Sequence, residues 1–123
     1  MSQHGMITWS ELMTTEVEKA KTFYGETLGV SFDAFDAAGE PYTVAMSDGK
    51  PAWGIMDMSL RPGGPTGWFT YIAVDDVDAR VKAAEAAGAV VHRGPWDIPG
   101  VGRVAILEDT TGAMIGWMTP SMG

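Results

Sequence analysis

The chain has 123 residues, 46% of them apolar and 20% charged, with a formal net charge of −8 at pH 7. That length fits one domain able to bury a core, and the acidic balance disfavours nucleic acid and anionic membrane surfaces as partners. It contains no cysteine, which excludes disulfides, thiolate nucleophiles and Cys-based zinc or iron–sulfur sites. The leading MSQHGMITW has no basic stretch followed by an apolar one. No run approaches the ~18 apolar residues of a membrane helix, so the expected location is the cytoplasm.

Trp9–Met13 alternates as a strand does. A helix follows through Val17, Ala20, Phe23, Tyr24 and Leu28. Thr15 and Glu18 have capping-box spacing, and Gly29 marks the helix end. Three short strands are expected near Val30–Phe35, Tyr42–Ser47 and Ala52–Met58, with a hairpin turn at Ser47-Asp48-Gly49-Lys50. Ser59–Pro65 reads as a linker. Phe69–Val74 is again a strand, and Asp75 or Asp76 caps a helix through Val77, Val81 and Ala84 that stops at Gly88. Strands near Ala89–Arg93, Arg103–Glu108 and Ala113–Met118 complete the second set. Gly94–Gly102 is rich in Gly and Pro and reads as a loop, with Trp96 either a lid or an anchor within it.

A shift of 60 residues lays Val17 on Val77, Val44-Ala45 on Val104-Ala105, Ile55 on Ile115 and Met58 on Met118. The expected architecture is α+β: two tandem βαβββ modules in a single domain over residues 1–123. Module one covers about 6–58, a linker 59–66, and module two about 67–119. A ferredoxin-like βαββαβ arrangement leaves a C-terminal strand unused.

Three stretches carry a family likeness: AKTFYGETLGV, YIAVDDVDARVKAAEAAGAVV and GRVAILEDTTGAMIGW. With them the chain resembles the vicinal oxygen chelate superfamily of glyoxalases, bleomycin-resistance proteins and extradiol dioxygenases. The resemblance implies mixed sheets curved around a cup, helices on the outside, and a homodimer. Metal-dependent members hold one divalent ion with His and Glu side chains. Carried onto this chain, the ligand positions fall on Trp9, Met56, Phe69 and Gly116. None of these suits a hard or borderline cation, so neither a metal nor another cofactor is expected.

Strand alternation places Trp9, Glu11 and Met13 on one face, with Phe69, Tyr71 and Ala73 in the second module. Gly54, Met56, Met58, Met114, Gly116 and Met118 are expected on the same faces. The expected site is therefore apolar, aromatic and Met-rich, lined by Trp9, Met13, Met56, Phe69, Arg103 and Met118. Glu11 is its candidate proton-transfer group and Tyr71 its candidate hydrogen-bond donor. A carboxylate buried among such side chains is expected to have a raised pKa. Three functions remain open. One is a binding protein or metal-independent enzyme for a small, partly aromatic molecule. Another is a lyase or dioxygenase whose metal is held by Glu11 with His4 or His92. The last is a structural or regulatory dimer with a filled cup.

Overall fold

A computed structural model describes residues 3–37, 40–98 and 101–120. Its elements are β1 (Ile7–Thr14), α1 (Val17–Leu28), β2 (Ser31–Ala37), β3 (Glu40–Ser47), β4 (Lys50–Asp57), β5 (Gly67–Ala73), α2 (Val77–Ala86), β6 (Val90–Ile98), β7 (Gly102–Glu108) and β8 (Met114–Pro120). The fold is α+β, and the order strand, helix, strand, strand, strand occurs twice. The residues cluster into two compact units, Trp9–Trp68 and Phe69 onward, the second joined by the segment up to Thr8. That segment is tied to β5: Gly5 N–H donates to the Ala73 carbonyl, and Ala73 N–H donates to that of Met6.

In the Trp9–Trp68 unit the strand order is β2-β3-β4-β1, with β1 parallel to β4 and the other pairs antiparallel. Two rows run across one face: Phe35–Tyr42–Met56–Met13 and Asp33–Val44–Gly54–Glu11. The opposite face carries Phe32, Ala45 and Trp53 in register. Asp48 and Gly49 both have positive φ, as the tight β3–β4 hairpin requires.

The second unit repeats the order as β5-β8-β7-β6, with β5 parallel to β8. Its core is Val74, Val77, Val81, Ala84, Ala105 and Leu107, packed between α2 and the sheet. The start of α2 is well held. Asp76 accepts from Ala79 N–H, and the Thr119 hydroxyl accepts from Val77 N–H while donating to the Val74 carbonyl.

The two helices differ in ways the repeat does not foretell. No residue of α1 is buried, whereas α2 buries Val77, Val81 and Ala84. Beneath α1 lie rings rather than small aliphatics. Tyr24 meets Trp53 and Trp68 edge-on at 5.1 and 5.9 Å, and Phe32 meets Trp53 at 6.0 Å. Rings of that bulk hold a helix further from its sheet than Val and Ala do. A cleft of about 560 Å³ opens between the first turn of α1 and Pro41, Thr43, Ile55 and Asp57. The expected Thr15/Glu18 box is not formed. Glu16 is the N-cap and makes no side-chain cap bond, and its N–H is taken by the Thr14 hydroxyl, one residue before the expected cap. Gly29 ends α1 in the left-handed conformation, as expected.

The other departure is β6, which continues through Gly94, Pro95 and Trp96 where a loop was expected. It is an edge strand in the β5-β8-β7-β6 order, and its pairing with β7 slips twice, between Val91 and Arg93 and between Arg93 and Trp96. Bulges on edge strands tolerate Pro, which has no N–H to donate. Pro99 and Gly100 of the expected loop lie outside the described residues. Among the described residues no helix is long and apolar enough to cross a membrane.

Candidate functional site

Glu11 is the one buried charged residue among those described, with 4% of its surface exposed. A carboxylate in such a place needs donors, because desolvation otherwise costs several kcal/mol. Tyr42 supplies one: its hydroxyl donates to Glu11 Oε1 at 2.9 Å. The same hydroxyl oxygen accepts from Trp9 Nε1 at 2.9 Å. An indole N–H can only donate, so one lone pair of the phenol is committed to Trp9 and its proton is directed to Glu11.

The register explains how Tyr42 gets there. On β3 it stands opposite Met56 of β4, while Glu11 on β1 stands opposite Gly54 of β4. The phenol must therefore lean across Gly54 to reach β1. A Cβ on Gly54 would fall inside the Tyr42 ring and hydroxyl, so only glycine leaves the path open. Met13 and Met56 share a row with Tyr42 and are half-buried, and Phe35 stands at its exposed end.

The second unit uses a glycine in the same way. Tyr71 stands opposite Gly116, and a Cβ there would meet the Tyr71 ring and Phe69. Phe69, Tyr71 and Met118 are all buried, and the two rings pack edge-on at 5.1 Å. The registers also correct the internal alignment. Gly54 faces Glu11 as Gly116 faces Tyr71, so the counterpart of Gly116 is Gly54 and not Met56. The closing strands are spaced two residues further apart than the opening strands, a slip that strand patterning alone cannot register.

Arg103 does not share a face with Met118. Met118 pairs with Val104, so Arg103 and Thr119 project to the other side, where Arg103 binds Asp78 at 2.7 Å and Asp97 at 3.2 Å. These contacts hold the Asp78 carboxyl below its ordinary range and raise Arg103 further. Met114 is exposed at the start of β8. Trp96 has the Arg93 guanidinium 3.6 Å over its ring, which anchors it along β6.

The metal positions implied by the resemblance hold Trp9, Phe69, Gly116 and either Met56 or Gly54. Neither an indole, a phenyl ring nor a glycine offers a donor, and a thioether suits soft ions only. The histidines are engaged elsewhere. His4 Nδ1 accepts from Asp75 N–H at 3.1 Å, and His92 Nε2 lies 2.9 Å from Glu108 Oε1. No group of three His, Cys, Asp or Glu side chains able to hold a metal ion occurs among the described residues. The donor set does not fit the divalent ion.

Sequence patterning placed Trp9, Glu11, Met13 and Gly54 on one face but missed Tyr42 and Phe35. The available signal was Gly54 itself, because a glycine inside a strand marks close approach by another group.

Comparison with known proteins agrees with this architecture. A family model described as the Glyoxalase/Bleomycin resistance protein/Dioxygenase superfamily matches residues 6–116. A candidate glyoxylase of Mycobacterium tuberculosis, CFP32, is 37% identical over 122 residues, which is 98% of this chain and 46% of CFP32. The anthracycline biosynthesis protein DnrV of Streptomyces peucetius is 32% identical over 123 residues, covering 89% of this chain and 45% of DnrV. The chain thus spans less than half the length of these relatives. Among solved structures, protein BH1468 of Bacillus halodurans superposes with a TM-score of 0.71 at 12% identity over 95% of both chains. A Streptomyces coelicolor methylmalonyl-CoA epimerase gives 0.67 at 18% identity over 98% of this chain and 99% of its own. These structural likenesses speak for the fold, and the family match with its sequence relatives decides membership: the chain belongs to the glyoxalase/bleomycin resistance protein/dioxygenase superfamily.

Proposed function

We propose that the chain binds a small, planar, partly aromatic organic molecule against the face carrying Trp9, Glu11, Met13, Tyr42 and Met56, without a resident metal ion. The observation that carries this reading is the buried Glu11 carboxylate, provided with a phenol donor on an otherwise aromatic and Met-rich face. Sites for small organic molecules combine apolar walls with few, well-placed polar groups. Rings stack on planar ligands, and thioethers adapt to their outlines. Phe69, Tyr71 and Met118 are proposed as the corresponding lining of the face of their own unit. Arg103 is left out, because it faces α2. The anthracycline biosynthesis relatives, named for a pathway to polycyclic aromatic compounds, support an aromatic ligand. Should a bound molecule be transformed, Glu11 is the proton acceptor on its face, and Tyr71 the candidate donor on the face of its own unit.

Titration with a panel of hydroxyanthraquinones and naphthols, read by quenching of tryptophan emission, tests this. Saturable quenching that weakens about tenfold in Glu11→Gln is the expected result, the size of losing a hydrogen bond to a charged group. A panel without any saturable quenching favours a filled face with a structural role.

Self-association into a homodimer is the second part of the proposal. Its support is exposed apolar surface on and near α1: Phe23 is 56% and Leu28 60% exposed, and Trp68, which packs on Tyr24, is 49% exposed. Sedimentation equilibrium at tens of micromolar is expected to give twice the chain mass. A monomer there overturns it.

A further inference from the structure

We propose that Asp33 and Phe35 form a rim subsite on β2 that takes the protonated amine of an aromatic ligand, so that this face prefers cationic arylalkylamines to neutral or anionic molecules with the same rings. The inference rests on the preceding reading for the ring-binding face and adds the charge of what that face selects.

Strand register carries it. Phe35 and Asp33 lie two residues apart on β2, and each heads a row across the face: Phe35–Tyr42–Met56–Met13 and Asp33–Val44–Gly54–Glu11. Both side chains therefore stand on the same face as the proposed ring contacts, with backbones ~6.6 Å apart at ~3.3 Å of rise per residue. An aryl ring on Phe35 with an ammonium on a two-atom tether spans that distance. β2 is the edge of the β2-β3-β4-β1 order, and Phe35 is 50% exposed there. Asp33 is exposed and makes no hydrogen bond or ion pair with a described residue. No Lys or Arg occurs on β2 or β3, and the one Lys of β4, Lys50, sits at the hairpin opposite Ser47. These strands thus supply no cation to the Asp33 carboxylate.

Rings and thioethers hold an aromatic ligand whatever its charge. A carboxylate beside an exposed ring adds discrimination, because an ammonium there gains a charge-assisted hydrogen bond from Asp33 and the face of Phe35. Glu11 ends the same row but is buried and three strands away, so Asp33 is the exposed carboxylate of that row. The net charge of −8 draws cations toward the whole chain, which Asp33 then places. A charge on an edge strand also deters pairing with another chain. Asp36 is equally placed for that role on the opposite face of β2, and the role does not call for an acid beside Phe35.

The test uses one ring system with three charges: 2-(2-naphthyl)ethylammonium, 2-(2-naphthyl)ethanol and 2-naphthylacetate. Affinities for the whole chain are measured by isothermal titration calorimetry at low salt. The amine is expected to bind about fivefold more tightly than the alcohol, the upper range for a solvent-exposed ion pair, and the acetate most weakly. The preference should shrink in about 0.5 M NaCl. In Asp33→Asn the amine and the alcohol should bind alike. Glu26→Gln removes one charge from the exposed surface of α1 and is expected to leave the preference intact. Phe35→Leu should weaken all three ligands about threefold and keep the amine ahead. Equal binding of amine and alcohol to the native protein, or a preference that survives Asp33→Asn, overturns the proposal. A preference lost equally in Glu26→Gln does so too, since net charge would then be its source. Unchanged affinities in Phe35→Leu overturn the part given to that ring. Binding of the alcohol with no preference for the amine removes this inference and keeps the function proposed above, whereas no binding of any of the three removes both.

Discussion

Gly54 and Tyr42 compete for the same volume: the space a Cβ on Gly54 would need is filled by the Tyr42 phenol. Gly54→Ala therefore has to displace the phenol from Glu11 and Trp9. The expected cost is about 1–3 kcal/mol, as for other overpacked sites. Urea unfolding measures it. In a double-mutant cycle with Tyr42→Leu the two costs are expected to fall well short of adding, because the second change removes the ring that the first one strikes.

Retention of divalent metal is expected to be negligible. Equilibrating the protein separately with Zn, Ni, Mn and Fe(II), then desalting and counting ions, should leave well under one ion per chain. The reason is the donor set, with an indole, a phenyl ring, a glycine and a thioether or second glycine at the positions where the resemblance implies imidazoles and carboxylates in metal-dependent members of the superfamily. Near-stoichiometric metal would point to ligands other than those positions.

The two helices are expected to respond differently to truncation. Val77 is almost completely buried in the α2 core, and Val77→Ala should cost about 2 kcal/mol. Phe23 on α1 is largely exposed and touches Tyr24 edge-on at 4.9 Å. Phe23→Ala should cost under about 1 kcal/mol in unfolding at low protein concentration. Comparing the two denaturation midpoints checks this, and a larger effect from Phe23 would show that α1 is packed more firmly than its exposure indicates.

Acid stability depends on a set of surface aspartates. The Arg80 guanidinium holds the Asp75 carboxyl below its ordinary range, and Arg103 does so for Asp78. The Thr111 hydroxyl lowers Asp109, and the Ser59 hydroxyl lowers Asp57. Each carboxyl is a stronger acid folded than unfolded. Its contribution is complete above the unfolded value of about 3.9 and is lost as pH falls through the lower folded value. The urea midpoint should thus be flat in these groups at neutral pH and fall below about pH 4. Asp75→Asn should reduce that slope. An unchanged slope would mean that the Asp75–Arg80 pair is screened too well by solvent to matter.

Local patterning was enough to assign both βαβββ sets, because each signal sits within a few residues. Alternation marks Trp9–Met13 and Phe69–Val74, Asp76 caps α2, Gly29 stops α1, and Asp48-Gly49 turns β3 into β4. The same alternation put Trp9 and Glu11 on one face. Tertiary structure decided what distance in the chain conceals. Whether β4 is offset by one pleat depends on its partner β1 about forty residues earlier, and that register exchanged Met56 for Gly54 as the counterpart of Gly116. The pairing of Tyr42 with Glu11 and Trp9 spans 31 and 33 residues and needs the space at Gly54, a condition visible only once three strands lie side by side. Arg103 went to the helix side because Val104 pairs with Met118, and β6 absorbed its proline because it lies at a sheet edge. Side-chain period and turn chemistry act locally and are legible in sequence. Register, edge position and cross-strand reach arise from which strands become neighbours, and these were settled by packing.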